Sequence, residues 1–484
     1  MLDLKSATLR ETLSPLLSDE AKPGHIAIDD PSTGRTIASI QPTDECEIDR
    51  AIARAERAQR DWMKRTMRER AAFLIRVSEA LAAATDDFAK LITLESGKPL
   101  REAYDEIEYA RSFFDYYAAI AGDERGAILP EERSGTFSSY RYGPVGVGAA
   151  ITPWNFPLAM LARKLSPALL AGNSLLVKPA ESTPLSAIAL EAIMRDAGCP
   201  EDLMINLLGD REGAARIGDA LMRSTIVRKL SFTGSTAVGK ALLRAAADTL
   251  KRVSLELGGN APFLIFEDAP LESAIEALLV AKFRNAGQTC VAAQRVYVHR
   301  SLYPRAVELL EAKVSKLRLG RGLDETTDVG PLIREAAREK VERHLGEALA
   351  GGASLITGGK RAFDEGYFFE PTLIRDFAED ALLTREESFG PLLALRPFDS
   401  DEEAITLANR TRAGLVAYAF TENLSRAHRL SESLDFGMIR LNTGQGSSAV
   451  SPFFGIKESG LGVEASKLGL LEWMTPKTTT IGGL

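Results

Sequence analysis

Cysteine and histidine are scarce in this chain of 484 residues, which contains 3 cysteines and 4 histidines. The cysteines, Cys46, Cys199 and Cys290, are odd in number and form no CxxC pair, which disfavours a disulfide framework and a zinc site. No HExxH motif or histidine cluster occurs, so we expect no catalytic metal. Unpaired cysteines are typical of a reducing compartment, and the expected location is the cytoplasm.

Long apolar runs and basic runs are also missing. No apolar stretch reaches about eighteen residues, so we expect no membrane-spanning helix. Residues 1–5 include an early acid and no continuous apolar core, which argues against a signal peptide. The formal net charge is −8 and no basic segment stands out, so nucleic acid is not an expected partner.

The composition is that of a globular protein, with 45% hydrophobic and 26% charged residues. At ordinary domain sizes of about 100–200 residues, the length predicts about two to four domains. The segment 44–117 has apolar residues at helical spacing, and Gly97 and Pro99 divide it into at least two helices. We interpret its charged residues as a solvated face and assign them no chemistry.

After this helical segment, short apolar strands alternate with helical stretches. This alternation is typical of βαβ units with a buried parallel sheet and predicts an α/β fold. The predicted strands are 145–151, 174–177, 203–208, 227–232, 295–299 and 392–395, and residues 136–142 alternate like an exposed strand. Because ligands bind at the carboxyl ends of parallel strands, the residues that follow each strand are candidates for a site.

Cys290 follows a run of small and amide residues, Gly287-Gln288-Thr289, with Arg284 six positions upstream. A cysteine acts as a nucleophile when its thiolate is accessible and is stabilised by amide N–H groups or positive charge. The alternative is a small buried core residue, which is the commoner role of a free cysteine.

Two further polar residues are candidates for chemistry, and the first of them follows a predicted strand. Asn155 lies in a turn stiffened by Pro153 and Pro157, where its amide either donates to a developing oxyanion or closes the turn locally. Glu256 is flanked by leucines and followed by two glycines. Burial would raise its pKa and suit it to act as a base, whereas the alternative is a strand-end glutamate exposed to water.

Glycine-rich and charged motifs follow other strands. Gly234 and Ser235 open a predicted helix, where free backbone N–H groups bind anions. Residues 234–240 also fit GxxxxGK, but Ala241 stands where a P-loop has Ser or Thr for Mg²⁺, which disfavours nucleotide hydrolysis. The GxGxxG-like run 143–148 precedes its strand and is discounted. Lys178 and Glu181 either address one sugar together or pair with each other at the surface.

Six motifs, in this order along the chain, resemble those of the NAD(P)-dependent aldehyde dehydrogenase superfamily. They are PWNFP at 153–157, KPAE at 178–181, FTGS at 232–235, ELGG at 256–259, GQTC at 287–290 and ESFGP at 387–391. The resemblance implies an α/β fold with a Rossmann-like cofactor domain, an α/β catalytic domain and a small β oligomerisation element that assembles a homodimer or homotetramer. The implied bounds are 1–122 with 145–257 for the cofactor domain, 258–443 for the catalytic domain, 123–144 with 468–484 for the oligomerisation hairpin and tail, and 444–467 for a substrate-site loop that returns to the cofactor domain.

The resemblance also implies roles for residues. Cys290 is the nucleophile, the Asn155 amide and the Cys290 N–H hold the oxyanion, and Glu256 is the general base that activates water. The implied cofactor-binding residues are Thr152, Pro153, Trp154, Lys178, Glu181, Gly234, Ser235, Glu387 and Phe389. Since a carboxylate at position 181 accepts from a ribose 2′-hydroxyl and repels a 2′-phosphate, NAD is the expected cofactor and NADP is possible.

Within the superfamily the sequence is most similar to succinate-semialdehyde dehydrogenases, through residues 162–164, 282–285 and 455–462. This resemblance implies that Arg163, Arg284 and Ser447 bind the distal carboxylate of a short semialdehyde, which is converted to the diacid. The alternative for the arginines is pairing with protein carboxylates. Glutarate semialdehyde, α-ketoglutarate semialdehyde and an uncharged aldehyde remain alternative substrates.

Three residues depart from the subfamily pattern. Phe454 replaces a common glycine and Val463 replaces a common arginine, so the chain length of the preferred substrate is open. Ala292 replaces a cysteine that in some relatives forms a regulatory disulfide with the nucleophile. A phosphorylating or acyl-transferring relative and a non-catalytic binding protein are further alternatives. Glu256 favours water as the acyl acceptor, and the Cys290, Glu256 and Asn155 set disfavours a non-catalytic role.

Overall fold

The computed structural model describes residues 4–123, 126–131, 133–445 and 447–483. The expectation that no signal peptide is present used residues 1–5, of which the first three lie outside the described residues. Within the described ranges, no helix combines the length and apolar character needed to cross a membrane.

The α-helices alternate with strands from residue 147 onward, whereas residues 45–119 contain helices without strands. Their bounds are α1 (Ala7–Leu13), α2 (Glu45–Trp62), α3 (Met67–Ala83), α4 (Thr85–Ser96), α5 (Leu100–Ala119), α6 (Ala159–Ala171), α7 (Leu185–Asp196), α8 (Arg211–Arg223), α9 (Thr236–Ala247), α10 (Leu271–Phe283), α11 (Tyr303–Val314), α12 (Glu335–Ala350), α13 (Leu382–Arg385), α14 (Asp401–Asn409), α15 (Leu424–Ser433) and α16 (Ser466–Leu471).

The strands are short and belong to four sheets. Their bounds are β1 (Ile26–Asp30), β2 (Arg35–Ile40), β3 (Gly126–Ile128), β4 (Thr136–Pro144), β5 (Val147–Ile151), β6 (Ser174–Lys178), β7 (Met204–Asn206), β8 (Val227–Thr233), β9 (Arg252–Glu256), β10 (Ala261–Ile265), β11 (Ala293–His299), β12 (Ser354–Thr357), β13 (Thr372–Arg375), β14 (Leu392–Phe398), β15 (Val416–Phe420), β16 (Met438–Leu441), β17 (Gly460–Leu461) and β18 (Met474–Gly482).

The predicted helical segment 44–117 forms four helices, α2 to α5. A capping box between Thr66 and Glu69 starts α3, and Gly97, with φ of 79°, ends α4 in a left-handed conformation that suits glycine. Pro99 then precedes α5, which packs against α3, α4 and α6. The α5 helix therefore lies at the centre of this part of the molecule.

The prediction that the charges of segment 44–117 form a solvated face is wrong for several residues. Glu95, Lys98 and Glu106 are fully buried. Lys98 and Glu106 pair with each other, and Glu95 accepts hydrogen bonds from two backbone N–H groups at the start of α7. Partners distant in the sequence thus stabilise these charges where helical spacing predicts exposure.

The first large sheet has the strand order β17-β9-β8-β5-β6-β7. The strands β5 to β8 are mutually parallel, as predicted, β9 extends the parallel order without having been predicted, and β17 adds an antiparallel edge beside β9. Each predicted strand of this sheet is present with bounds shifted by a few residues. The strand predicted at 145–151 begins at Val147 because Gly146, with φ of 126°, breaks the extended conformation.

The second large sheet has the order β12-β13-β14-β11-β10-β15-β16 and is parallel except for the pairing of β12 with β13. A separate three-stranded antiparallel sheet, β18-β4-β3, joins the C-terminal strand to the exposed strand predicted at 136–142. These sheets give the α/β fold that the sequence predicts. The four domain bounds stay a prediction.

Candidate active site

The carboxyl ends of the parallel strands in the first sheet bring the predicted residues together from distant parts of the chain. Asn155 follows β5, Lys178 ends β6, Ser235 follows β8 and Glu256 ends β9. Ser235 is the N-cap of α9, where its hydroxyl accepts from the N–H of Val238 at 3.4 Å. The arrangement follows from the common direction of these strands.

The loop that carries Cys290 has an unusual backbone. After α10 ends, three consecutive residues have left-handed conformations: Asn285 with φ of 52°, Ala286 with φ of 53° and Gly287 with φ of 76°. Such conformations cost free energy in residues other than glycine and persist only where surrounding contacts enforce them. The Glu102 carboxylate, on α5, supplies one such contact because it accepts from the Asn285 N–H at 2.7 Å.

Gln288 fixes the same loop from inside. Its side chain is fully buried, donates from Nε2 to the Asn285 carbonyl at 3.0 Å and accepts at Oε1 from the Ile333 N–H at 2.9 Å. Both ends of the amide group are therefore engaged, and the loop is tied to the segment that precedes α12. The nucleophile candidate thus stands on a rigid support.

Cys290 is partly exposed and faces a cavity of about 670 Å³. The predicted site residues on the cavity walls are Pro153, Trp154, Asn155, Arg163, Gly234, Ser235, Arg284, Cys290, Glu387, Phe389 and Ser447. Among the described residues, Thr152, Lys178, Glu181 and Glu256 are not part of these walls. The cysteine is therefore not simply a core residue.

Asn155 is buried and faces the nucleophile loop. Its Nδ2 donates to the Gln288 carbonyl at 2.8 Å. Because an amide nitrogen carries two hydrogens, this bond leaves a second one for an acceptor in the cavity. The local turn is thus held by contacts across the site, and the amide is more than a turn-closing group.

Burial raises the pKa of the Cys290 thiol to about 12, and the nearby Glu387 carboxyl adds to the rise. The positive charges of Arg163 and Arg284 oppose it. Burial also raises the pKa of Glu387 to about 8, although Lys340 and Lys282 favour its charged form. These shifts favour the protonated thiol at neutral pH, so a nucleophilic attack by this sulfur would require an acceptor for its proton.

Glu256 is buried, so the alternative of an exposed strand-end glutamate is wrong. Antiparallel pairing of β17 covers its strand, and neither carboxyl oxygen has a hydrogen-bond partner among the described residues. Burial raises the pKa of Glu256 well above its usual value, and the neighbouring Glu464 carboxylate adds to this rise. A carboxyl group in this state is a strong proton acceptor once it is ionised.

The contacts of Arg163 bear on both roles considered for it, which are binding a substrate carboxylate and pairing with a protein carboxylate. Its Nε lies 2.7 Å from Oε2 of the buried Glu464, which is the protein pairing considered as the alternative. Its Nη2 is buried without a hydrogen-bond partner among the described residues, and the side chain lines the cavity. Lys164 also donates to Glu464, and these two cations hold the pKa of Glu464 at about 2 although burial opposes its charge.

Arg284 is half-buried at the start of the strained loop, with its guanidinium carbon 5.4 Å from the ring centre of Phe156. No ion pair of Arg284 with a protein carboxylate is found within the described ranges. Ser447 lies on the same cavity, in the segment that follows β16. Both residues thus face the space next to Cys290.

The other side of the site suits a dinucleotide. Lys178 is buried and lies 3.5 Å from Glu181, whose second carboxyl oxygen lies 3.4 Å from Nη1 of Arg334. Burial opposes the charge on Glu181, but hydrogen bonding and the charges of Lys178 and Arg334 leave its pKa lowered. A helix N-terminus at Ser235, an ammonium group and an ionised carboxylate are donors and acceptors of the kind that pyrophosphate and ribose need.

Glu387 and Phe389 close this side of the site. Glu387 accepts from the Gly259 N–H at 3.4 Å, and the Phe389 ring centre lies 5.5 Å from that of Trp154 in an edge-to-face arrangement. A methyl group on Gly258 would lie 3.3 Å from Oε2 of Glu387, so a larger residue there would require a small shift of this carboxylate. No group of metal-binding side chains is found within the described ranges.

A comparison with known protein families decides the class. The profile of the Aldehyde dehydrogenase family matches residues 18–479. The chain belongs to this family. It is accordingly an oxidoreductase, as the sequence analysis predicts.

Three similar proteins illustrate the relationship. A succinate-semialdehyde dehydrogenase [NADP(+)] of Escherichia coli is 44% identical over 94% of this chain and 94% of its own length. A glutarate-semialdehyde dehydrogenase of Pseudomonas aeruginosa is 43% identical over 95% of this chain and 94% of its own. A crystal structure of succinate-semialdehyde dehydrogenase from Burkholderia pseudomallei superposes with a TM-score of 0.94 at 43% identity, covering 99% of this chain and 100% of that one.

Several residues of this aldehyde dehydrogenase site escape the sequence reasoning. Glu102, Lys340 and Phe453 line the cavity, and Glu464 and Arg334 contact predicted residues. None of them follows a predicted parallel strand, so the expectation that site residues follow such strands does not identify them. For these residues the sequence offers one signal: Glu464 is an acidic residue with an apolar neighbour, Val463, which indicates a buried carboxylate.

Replacing Gly287 tests the rigidity of the nucleophile loop. With φ of 76° and a methyl position only 2.2 Å from the Gly390 carbonyl oxygen, Gly287→Ala should cost about 1–3 kcal/mol of stability and most of the activity. Thermal unfolding and aldehyde-dependent NAD(P)H formation measure both effects. Gly346→Ala is the matched control, since its methyl meets nothing within 4 Å in α12 and should be neutral or stabilising. If Gly287→Ala and Gly346→Ala had the same stability and the same activity, the rigid backbone assigned to the Cys290 loop would be contradicted.

Proposed function

We propose that this aldehyde dehydrogenase oxidises a short semialdehyde with a terminal carboxylate, above all succinate semialdehyde, to the corresponding diacid with NAD(P)⁺. One observation carries the proposal: Cys290 shares its cavity with Arg163, Arg284 and Ser447, and Nη2 of Arg163 is buried without a partner. A guanidinium edge of this kind suits a carboxylate at a fixed distance from the reacting carbon.

The charge balance supports an anionic substrate. Around Arg163, the cations Arg163 and Lys164 face one ionised carboxylate, Glu464, and the neighbouring Glu256 is held toward its neutral form. Arg284 adds another positive charge on the same cavity. Around Arg163, one positive charge thus remains uncompensated, which favours a substrate that brings a carboxylate with it.

Glutarate semialdehyde is the second candidate. The relative from Pseudomonas aeruginosa bears that name and is 43% identical to this chain. The two substrates differ by one methylene group, and a hydrophobic contact discriminates such a difference by only about 1–3 kcal/mol. Phe454 follows Phe453, which lines the cavity, and Val463 precedes Glu464, which pairs with Arg163. We expect the choice of chain length to depend on these two residues.

The chemistry follows from the residues around Cys290. As its sulfur bonds to the aldehyde carbon, the thiol proton passes to a carboxylate or to water, and the C=O electron pair becomes an oxyanion. The free N–H of Asn155 and the N–H of Cys290 stabilise that charge. NAD(P)⁺, when bound, would accept the hydride that leaves the former aldehyde carbon, and the oxyanion would re-form C=O to give a thioester on Cys290. Glu256 then takes a proton from water, the resulting oxygen attacks the Cys290 thioester, and the acid leaves as the thiolate is regenerated.

For the cofactor we propose that Lys178 and Glu181 hold the adenosine ribose and that Gly234 and Ser235 contact the pyrophosphate. Glu387 and Phe389 position the nicotinamide ribose, Pro153 and Trp154 form the cavity wall beside it, and Thr152, directly before them in the chain, also contacts the cofactor. NAD is preferred because the Glu181 carboxylate repels a 2′-phosphate. The Escherichia coli relative carries NADP(+) in its name. The preference for NAD proposed for this chain rests on Glu181 alone.

The three-stranded sheet supports a proposal about assembly. The strand β18 pairs with β4 along its whole length and leaves most of its residues exposed. We propose that this sheet joins subunits into a homodimer or homotetramer, and that residues 123–144 and 468–484 form the oligomerisation element. The free cysteines suit the cytoplasm, which is the proposed location.

Glu256→Gln should separate the two half-reactions. Acylation survives while water attack slows by about 10²–10⁴-fold, so a burst of NAD(P)H precedes slow turnover in stopped-flow measurements. In the unchanged enzyme the raised pKa of Glu256 means that the basic form grows as pH rises, so turnover should increase with pH until that pKa is passed. The variant should lose this dependence. Cys290→Ala, as control, should show neither burst nor turnover, and a Glu256→Gln enzyme with normal turnover would refute the base assignment.

Arg163→Ala and Arg284→Ala test the substrate assignment. A charge-assisted hydrogen bond is worth about 1.5–3 kcal/mol, so each change should lower the preference for succinate semialdehyde over butanal by roughly 10–150-fold in kcat/KM. Glutarate semialdehyde is assayed beside these two aldehydes to determine which length of substrate the enzyme prefers. Arg334→Ala is the matched control, because Arg334 lines the cavity on the cofactor side and should leave the aldehyde preference unchanged. An unaltered preference in both test variants would exclude the carboxylate contact.

Glu181→Gln tests the cofactor assignment. Removing the carboxylate charge should raise kcat/KM for NADP relative to NAD by at least about tenfold, which corresponds to about 1.4 kcal/mol. Glu212→Gln removes an exposed carboxylate from the first turn of α8 and should leave the ratio unchanged. A ratio that stays constant in Glu181→Gln would show that another residue selects the cofactor.

A further inference from the structure

Lys98 and Glu106 form an ion pair whose two side chains are 0% exposed, directly behind the turn that carries Asn155. Lys98 lies between α4 and α5, and Glu106 lies in the second turn of α5. Removing two charges from water is costly, and a buried ion pair is often no more stable than apolar packing of the same volume. Stability alone therefore gives no reason for a charge pair here.

The hydrogen bonds of the pair hold both ends of the Asn155 turn. The Lys98 ammonium donates to the Asn155 carbonyl at 2.7 Å. Oε1 of Glu106 accepts from the N–H groups of Leu158 at 2.9 Å and Ala159 at 3.1 Å, where α6 begins. The ammonium also lies 4.1 Å from the ring centre of Phe156, so the turn is contacted at its start, middle and end.

The same carbonyl links the turn to the nucleophile loop. Nδ2 of Asn285 donates to the Asn155 carbonyl at 3.0 Å, while the Asn155 side chain donates to Gln288 at 2.8 Å. The Asn155 backbone is thus the point at which Lys98 and the Cys290 loop meet. A hydrogen-bond donor stabilises an oxyanion only when it is held within about 0.5 Å of the productive position.

We infer that Lys98, held by Glu106, is a positioning residue for the Asn155 amide, which it fixes relative to Cys290 through the Asn155 carbonyl. This inference rests on the oxyanion role of Asn155 in the proposed function. An ammonium group gives a strong bond to a carbonyl, and a carboxylate accepts from two adjacent N–H groups at once. An apolar pair of equal volume supplies neither contact.

Lys98→Met tests the inference, with Lys98→Met/Glu106→Gln as the variant that leaves no unpaired charge if the single change does not fold. Loss of an oxyanion donor costs about 10²–10³ in kcat, so a displaced donor should cost about 10–100-fold. KM for the aldehyde, the Kd for NAD and the rate of Cys290 alkylation by iodoacetamide should change by less than about twofold, because the thiol itself is not moved.

A double-mutant cycle gives the second readout. Because Lys98 acts through Asn155, Lys98→Met should reduce kcat by less than about twofold in an Asn155→Ala background. Glu95→Gln is the matched control for the buried carboxylate. Glu95 is also fully buried and accepts from two N–H groups at a helix start, those of Leu185 and Ser186. Its replacement should lower the melting temperature and leave kcat unchanged.

The outcomes separate the inference from the proposed function. If folded Lys98→Met keeps kcat within about twofold of the unchanged enzyme, the inference is overturned and the proposed function stands. The same holds if the fold-decreases in kcat caused by Lys98→Met and Asn155→Ala multiply in the double variant. If Asn155→Ala itself keeps full activity, the oxyanion role fails and the inference fails with it. A loss in Lys98→Met that disappears in the Asn155→Ala background supports it.

Discussion

The Cys290 loop is confined between two other stretches of backbone, and much of the site depends on this confinement. A methyl group on Gly259 would lie 2.1 Å from the Cys290 carbonyl oxygen, and one on Gly287 would lie 2.2 Å from that of Gly390. Left-handed residues between α10 and Gln288 allow this close approach. The contacts of Glu102 and Gln288 then hold the strained backbone in place.

Buried charge is the second organising feature. Among the described residues, the carboxyl groups of Glu256 and Glu387 have no ion-pair partner, so burial raises their pKa values, whereas Glu464 is paired and stays ionised. The same side chain type is thus held toward its neutral form at one position and as a fixed anion at another, because the neighbouring cations differ. The protonation states of these glutamates therefore differ because their surroundings differ, since the residue type is the same.

The sequence predicts most of the architecture and the central residues, because both depend on local pattern. Alternating strands and helices predict the parallel sheet, and its topology brings Asn155, Ser235 and Glu256 to one edge. The burial of Glu256 depends on β17, which begins about two hundred residues later in the chain. The pairing of Arg163 with Glu464 and of Lys98 with Asn155 likewise joins distant segments, so helical spacing misreads Lys98 as solvated.

The antiparallel strand β17 determines how force on the outer sheet reaches the site. Gly460 pairs with Glu256, Glu464 reaches Arg163 soon afterwards, and from Met474 the chain runs along β4 in the outer sheet. One continuous segment, 460–482, thus fastens the interior of the site to the periphery. A strain applied to the outer sheet is transmitted by covalent bonds to β17, and from there by the hydrogen bonds of the strand pair to β9, which carries Glu256.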